Sequence, residues 1–178
     1  MNKLSNQRGV FAIELAFIIF TLCAIFMFAT DLSHKLLVRA KLDRTSFALV
    51  NILKERYRYF DGDITNKVNI EVTETELDEM RQVAARLLGT NEDQVAIQIE
   101  SLIDAQFETQ LASNRFKSLG CSSGSIVSEQ HLVPQEGSVQ FPLYRVTICE
   151  QHDSWFDPFV DGDIENVTIH SSSVMPGR

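Results

Sequence analysis

From Val10 to Thr30 the chain runs for 21 residues with one charge, Glu14, and no proline or glycine. At helical rise that is about 32 Å, enough to cross a hydrocarbon core of about 30 Å. Beyond Thr30 the pattern becomes amphipathic. Leu32, Leu36, Leu42, Leu49, Leu53 and Tyr57 recur near helical spacing with Val50 on the same side, while Lys35, Arg39, Lys41, Lys54, Glu55 and Arg58 supply a polar face. Nothing interrupts this until Asp61-Gly62-Asp63, a stop signal, so one helix of about 74 Å is expected from Phe11 to Tyr59.

The remainder reads as short strands and helices. Val68, Ile70 and Val72 alternate as a strand with one buried face. Thr73 with Glu76 three residues on predicts a capping box, and the helix it opens places Leu77, Met80, Ala84, Leu87 and Leu88 on one face and stops at Gly89. Val95, Ile97, Ile99 and Ile103 alternate again. Residues 106–119 read as a weak helix or a loop, and Cys121-Ser122-Ser123-Gly124-Ser125 as a turn-rich loop. Tyr144, Val146 and Ile148 form a further strand with Cys149 on its other face, and Val167 and Ile169 mark a last one. The expected fold is α+β: a long N-terminal helix, then a small antiparallel or mixed sheet of three or four strands with one or two short helices.

Glu14 sharpens the reading of the apolar run. A carboxylate in a bilayer costs about 2–3 kcal/mol or more unless it lies near the edge or is paired. A cleaved secretory signal would need a shorter apolar region and a small-x-small site, whereas this run ends Met27-Phe28-Ala29-Thr30. An uncleaved anchor with an interfacial glutamate is a second reading. A third accounts for basic leader, glycine and glutamate together: cleavage after Gly9, leaving Val10 as the new N-terminus and Glu14 as the fifth residue.

Arg8-Gly9-Val10-x-Ala12-x-Glu14-x-Ala16 resembles the class III signal of type IV pilin-like proteins, and most closely that of the TadE and TadF pseudopilins of the tight-adherence (Tad/Flp) pilus. Leu15 stands where many TadE-like members have Phe. Chain length, the acidic outer part and the late cysteine pair make the resemblance most like TadF. It implies a cleaved leader at 1–9, a transmembrane helix at 10–30, an amphipathic continuation at 31–60 and a periplasmic α+β domain at 61–178, with the pilin-like ladle shape. It also implies a bacterial inner-membrane location and, as partners, the prepilin peptidase, the other TadE/TadF-like pseudopilin, the major Flp-type pilin and the inner-membrane assembly platform. Glu14 would pair with a terminal amine of its own or an adjacent subunit.

Charge fits an outward domain. The chain has 16 basic and 24 acidic residues, and loss of Lys3 and Arg8 with the leader leaves 14 against 24, or −10. Such acidity argues against nucleic acid or anionic headgroups as partners. Lys35, Arg39, Lys41 and Arg44 outnumber Lys3 and Arg8, so the bare positive-inside count favours a cytoplasmic C-terminus. The leader resemblance and the cysteines outweigh that count.

Cys23 lies in the apolar run and reads as a small packing residue. Cys121 and Cys149, an even pair in the outer domain, suggest a disulfide closing a 28-residue loop, worth about 3–4 kcal/mol on the chain-entropy model. Two free thiols, or a metal site using the Cys149-x-x-His152 spacing, are the alternatives. Asp61-Gly62-Asp63-Ile64 recurs as Asp161-Gly162-Asp163-Ile164, a turn signal with a calcium loop as its alternative. Trp155-Phe156-Asp157-Pro158-Phe159 is a core or loop cluster, or a partner-facing patch. No constellation calls for a cofactor, a metal or catalysis. The expected function is structural, a minor pilin or pseudopilin in assembly of a Tad/Flp-type pilus for adherence and biofilm formation. The alternatives are a minor pseudopilin of a type II secretion system and a membrane-anchored periplasmic binding or enzymatic domain.

Overall fold

A computed structural model describes residues 7–59, 71–104, 107–136, 139–154, 156 and 166–177. Several expected features lie outside them: the Asp61-Gly62-Asp63 stop, residues 67–70 of the first expected strand, Trp155, residues 157–159 and the second Asp-Gly-Asp. Glu71 and Val72, which end that expected strand, are not in one, and Val72 is buried in the main core.

The chain divides into two compact units, Met1–Leu37 with Asp153–Val167, and Val38–His152 with Thr168–Arg178. The first helix, α1, runs Gln7–Tyr59. In the second unit Leu42, Thr45, Ser46, Leu49, Val50 and Leu53 are all buried. Their spacing of three and one residues is one face of an α-helix, and that face meets the sheet. Leu32 and Leu36, expected on the same buried stripe, are exposed. Periodicity places a residue on a face without supplying a neighbour for it, and the stripe joins the core only from Val38 onward.

Helix α2 spans Glu74–Leu88. The capping box forms: Glu76 accepts from the Thr73 backbone N–H at 2.8 Å, and the Glu76 N–H donates to the Thr73 hydroxyl at 3.4 Å. Such a cap contributes about 0.5–2 kcal/mol. Gly89 closes the helix in the left-handed region at φ 63°, a conformation that costs other residues a Cβ clash. Leu77, Met80, Ala84, Ala85 and Leu88 are the buried stripe. Leu87, expected within it, is exposed, and Ala85 takes its place because it falls one turn behind Leu88 and beside Ala84. Lys41 of α1 donates to the Leu88 carbonyl at 2.5 Å, satisfying one of the last carbonyls of α2.

Four strands form one antiparallel sheet in the order β2-β1-β5-β6: β1 Ala96–Ile103, β2 Phe107–Ala112, β5 Leu143–Asp153 and β6 Asn166–Pro176. Two short strands, β3 Gln135–Glu136 and β4 Val139–Gln140, pair separately. The β1–β2 hairpin turns through Asp104 at φ 51°, a residue type that tolerates the left-handed region. β2 and the following helix α3, Asn114–Ser118, occupy the stretch expected to be weak helix or loop.

All eight residues of β1 are buried, not one face as its alternation suggested. Ile97, Ile99 and Ile103, with Tyr144, Val146 and Ile148, pack against α1 and α2. The other face lies under residues 113–134, which run as α3, the Cys121–Gly124 loop and a 3₁₀ helix, Ile126–Leu132. This is a layered α+β domain, and the segment over the second face is the part that periodicity did not reveal.

Candidate functional site

Two parts of the chain carry the sequence-derived candidates, one in each unit.

The first is the apolar stretch of α1. Val10, Phe11, Ile13, Phe17, Ile18, Phe20, Leu22, Ile25 and Phe26 are each more than half exposed, which leaves an apolar surface all round the helix. A helix apolar on every side requires an apolar surrounding, and this one is long and apolar enough to cross a membrane. Its hydroxyls are satisfied within the helix: Thr21 donates to the Phe17 carbonyl at 2.9 Å and Thr30 to that of Met27 at 2.9 Å. In lipid such back-bonding removes the cost of an unpaired polar group.

Gly9 and Val10 lie in the first turn of α1, and Glu14 follows Val10 by four residues, so it stands one turn beyond it on the same side. Glu14 is exposed and makes no ion pair with another described residue. Cys23 is an exposed free cysteine in the same stretch.

The second part is the segment over the outer sheet face. Ser113 anchors its start. Its hydroxyl donates to the Val95 carbonyl at 3.0 Å and accepts from the Ile97 N–H at 3.1 Å and the Phe116 N–H at 3.3 Å, so one side chain ties β1 to the first turn of α3. Phe116 then packs on Ala96 and Cys149, with Leu119 and Cys121 beside them. The structure brings Cys121 and Cys149 together, their Cα atoms 6.6 Å apart, within the span of a disulfide. Ile126 closes the far end on Leu102 and Leu143. His152 is buried. Among the described residues no group of three or more His, Cys, Asp or Glu gathers in a way that could hold a metal ion.

Between these two apolar anchors lies a charged pair that sequence reasoning missed. Glu100 and Arg145 are direct cross-strand partners, 0% and 4% exposed. Arg145 forks onto the carboxylate, Nε to Oε2 at 2.6 Å and Nη2 to Oε1 at 2.7 Å. The overlying loop completes the shell: the Ser123 hydroxyl donates to Glu100 at 3.0 Å and accepts from Gln98 at 3.1 Å, and the Gly124 carbonyl accepts from Arg145 at 2.5 Å. The available signal was a polar residue at every second position, Gln98 and Glu100 on one strand and Arg145 and Thr147 on the other. Only the register makes it a pair.

These features describe a membrane-type helix joined to a small domain whose second sheet face is clasped by its own loop. The family model described as "Putative tight adherence pilin protein F" (TadF) matches residues 2–178. No curated protein and no solved structure matches the chain.

Proposed function

The chain belongs to the TadF family of tight adherence pilin-like proteins, and we propose that within a Tad pilus system it acts as a minor pilin or pseudopilin needed for assembly. Family membership points to a structural component and suggests contacts with other pilus components. The observation that carries the finer reading is the α1 stretch Val10–Thr30, apolar on all sides, with its single carboxylate one turn from Val10. In this reading the prepilin peptidase cuts after Gly9. The helix stays in the bacterial inner membrane with the α+β part in the periplasm, and Glu14 pairs with a terminal amine. That amine belongs to the same chain or to a neighbour such as the TadE/TadF-like partner or the major Flp-type pilin. Pairing offsets the cost of a carboxylate in lipid, which an unpaired anchor would bear in full.

Mass spectrometry of the membrane-purified protein is expected to find Val10 at the N-terminus. Deletion of the gene is expected to remove surface pili and leave type II secretion intact. An intact Met1 in cells with active prepilin peptidase would sink the processing step, and a secretion defect with normal pili would favour the secretion pseudopilin.

The same topology puts Cys121 and Cys149 in an oxidising compartment, where we propose that they are bridged. Alkylation of non-reduced native protein should then modify neither. Labelling of both would refute the bridge, and Cys121→Ser should lower stability by about 2–5 kcal/mol.

A further inference from the structure

The second unit holds a cavity of about 220 Å³, room for a group the size of one side chain. Its wall is polar. Lys41 comes from α1, Thr90 and Gln94 from the link between α2 and β1, Arg115 from α3, and Glu150 and Gln151 from β5. Two cations thus share the wall with one acid, in a chain of net charge −8. Lys41 is fixed there, because its ammonium donates to the Leu88 carbonyl and answers the negative end of α2 with one of its three N–H bonds. Arg115 forms no ion pair with another described residue, and its Nε–H is buried without a hydrogen-bond partner. A buried donor left unanswered is costly, and a guanidinium is a planar fork shaped for a carboxylate. Glu150 is exposed and pairs with neither cation.

We propose that this cavity binds a carboxylate, with Arg115 as the fork, Lys41 as the second positive charge, and Thr90, Gln94 and Gln151 as neutral donors on the same wall. The carboxylate is that of an acidic side chain on a partner protein or of a small free acid. Glu150 opposes such a ligand by like charge and keeps the affinity low. The site stands whether or not α1 spans a membrane.

Opposite signs at two residues make the test direct. The full-length chain in detergent is titrated with the tripeptide acetyl-Gly-Glu-Gly-amide, with its Gln counterpart and with sodium acetate, and binding is followed by ligand-detected NMR. The Glu peptide is expected to bind and the Gln peptide to fail. Arg115→Gln should weaken binding by about tenfold or more, Arg115→Lys by less, and Glu150→Gln should strengthen it by about threefold. A preference of about tenfold for the Glu peptide over acetate assigns the site to a partner's acidic side chain, and equal binding of the two assigns it to small free acids. Equal binding of the Glu and Gln peptides, no binding of any carboxylate, or binding that Arg115→Gln leaves unchanged overturns the proposal. So does a Glu150→Gln chain that melts at a lower temperature and binds no better, because Glu150 is then the partner of Arg115. Should Arg115→Gln not fold, the sign of the Glu150→Gln effect on binding decides.

Discussion

Glu14→Leu is expected to insert into the membrane normally, to be processed normally, and to leave cells without pili. Replacing a carboxylate by an apolar side chain in a spanning helix is favourable for insertion, by up to about 3 kcal/mol at mid-bilayer and less near an edge. The proposed cut after Gly9 lies five residues before the substitution. Loss of function would therefore come from assembly, as the role proposed for Glu14 requires. Being one turn from Val10, it could receive the amine that such a cut would create on its own chain or present itself to that of a neighbour. Photocrosslinkers at exposed positions such as Phe17 or Ile18 should then give fewer crosslinks to pilin-like partners in the variant. Normal crosslinking together with normal piliation would reduce Glu14 to an interfacial residue and leave the leader motif as the sole support for processing and assembly.

Arg145→Ala should destabilise the folded domain by about 3–5 kcal/mol, the usual cost of stranding one member of a buried ion pair. That is a large part of the 5–15 kcal/mol typical of a domain. Glu100 would lose both bonds of the fork and keep a buried charge with only the Ser123 hydroxyl facing it. Replacing both partners, Glu100→Met with Arg145→Leu, should cost much less or even stabilise, since neither charge then needs solvation. Thermal unfolding of the full chain in detergent, followed by circular dichroism across the double-mutant cycle, gives the coupling directly. A loss below about 1 kcal/mol for Arg145→Ala would mean that water reaches the pair and that the clasping loop is not closed over it.

The sequence showed most clearly those features whose signal is local. Thr73, Glu76 and Gly89 bracket α2 because a cap is written within four residues and a left-handed stop in one. The strands at Ala96–Ile103 and Leu143–Asp153 were legible because alternating branched residues have few other uses. β2 was not, since an edge strand with no buried position carries only a weak alternation of Phe107, Thr109 and Leu111 among polar residues. Leu32 and Leu36 differ in the opposite way, having the right spacing and exposed side chains. The Glu100–Arg145 pair was invisible because it depends on register across 45 residues. The Gly9, Val10 and Glu14 candidates could be read at once, as a motif needs no tertiary structure.

The pairing of β1 with β5 joins Ala96 to Cys149 and Leu102 to Leu143, with β2 between them in sequence but on the other side of β1. As the chain emerges N-terminus first, the β1–β2 hairpin can form early, because its contacts are local. It must then wait for about 40 further residues with one apolar edge of β1 open, and such an edge is a template for aggregation. The helix face of Leu42, Leu49 and Leu53 waits longer still, because Ile169 and Met175 of the last strand pack against the same core. Maturation is thus paced by the C-terminus. Until the final dozen residues arrive, the domain is an unfinished sheet, and a chain tethered near its N-terminus would be kept apart from its copies by that tether while it finishes.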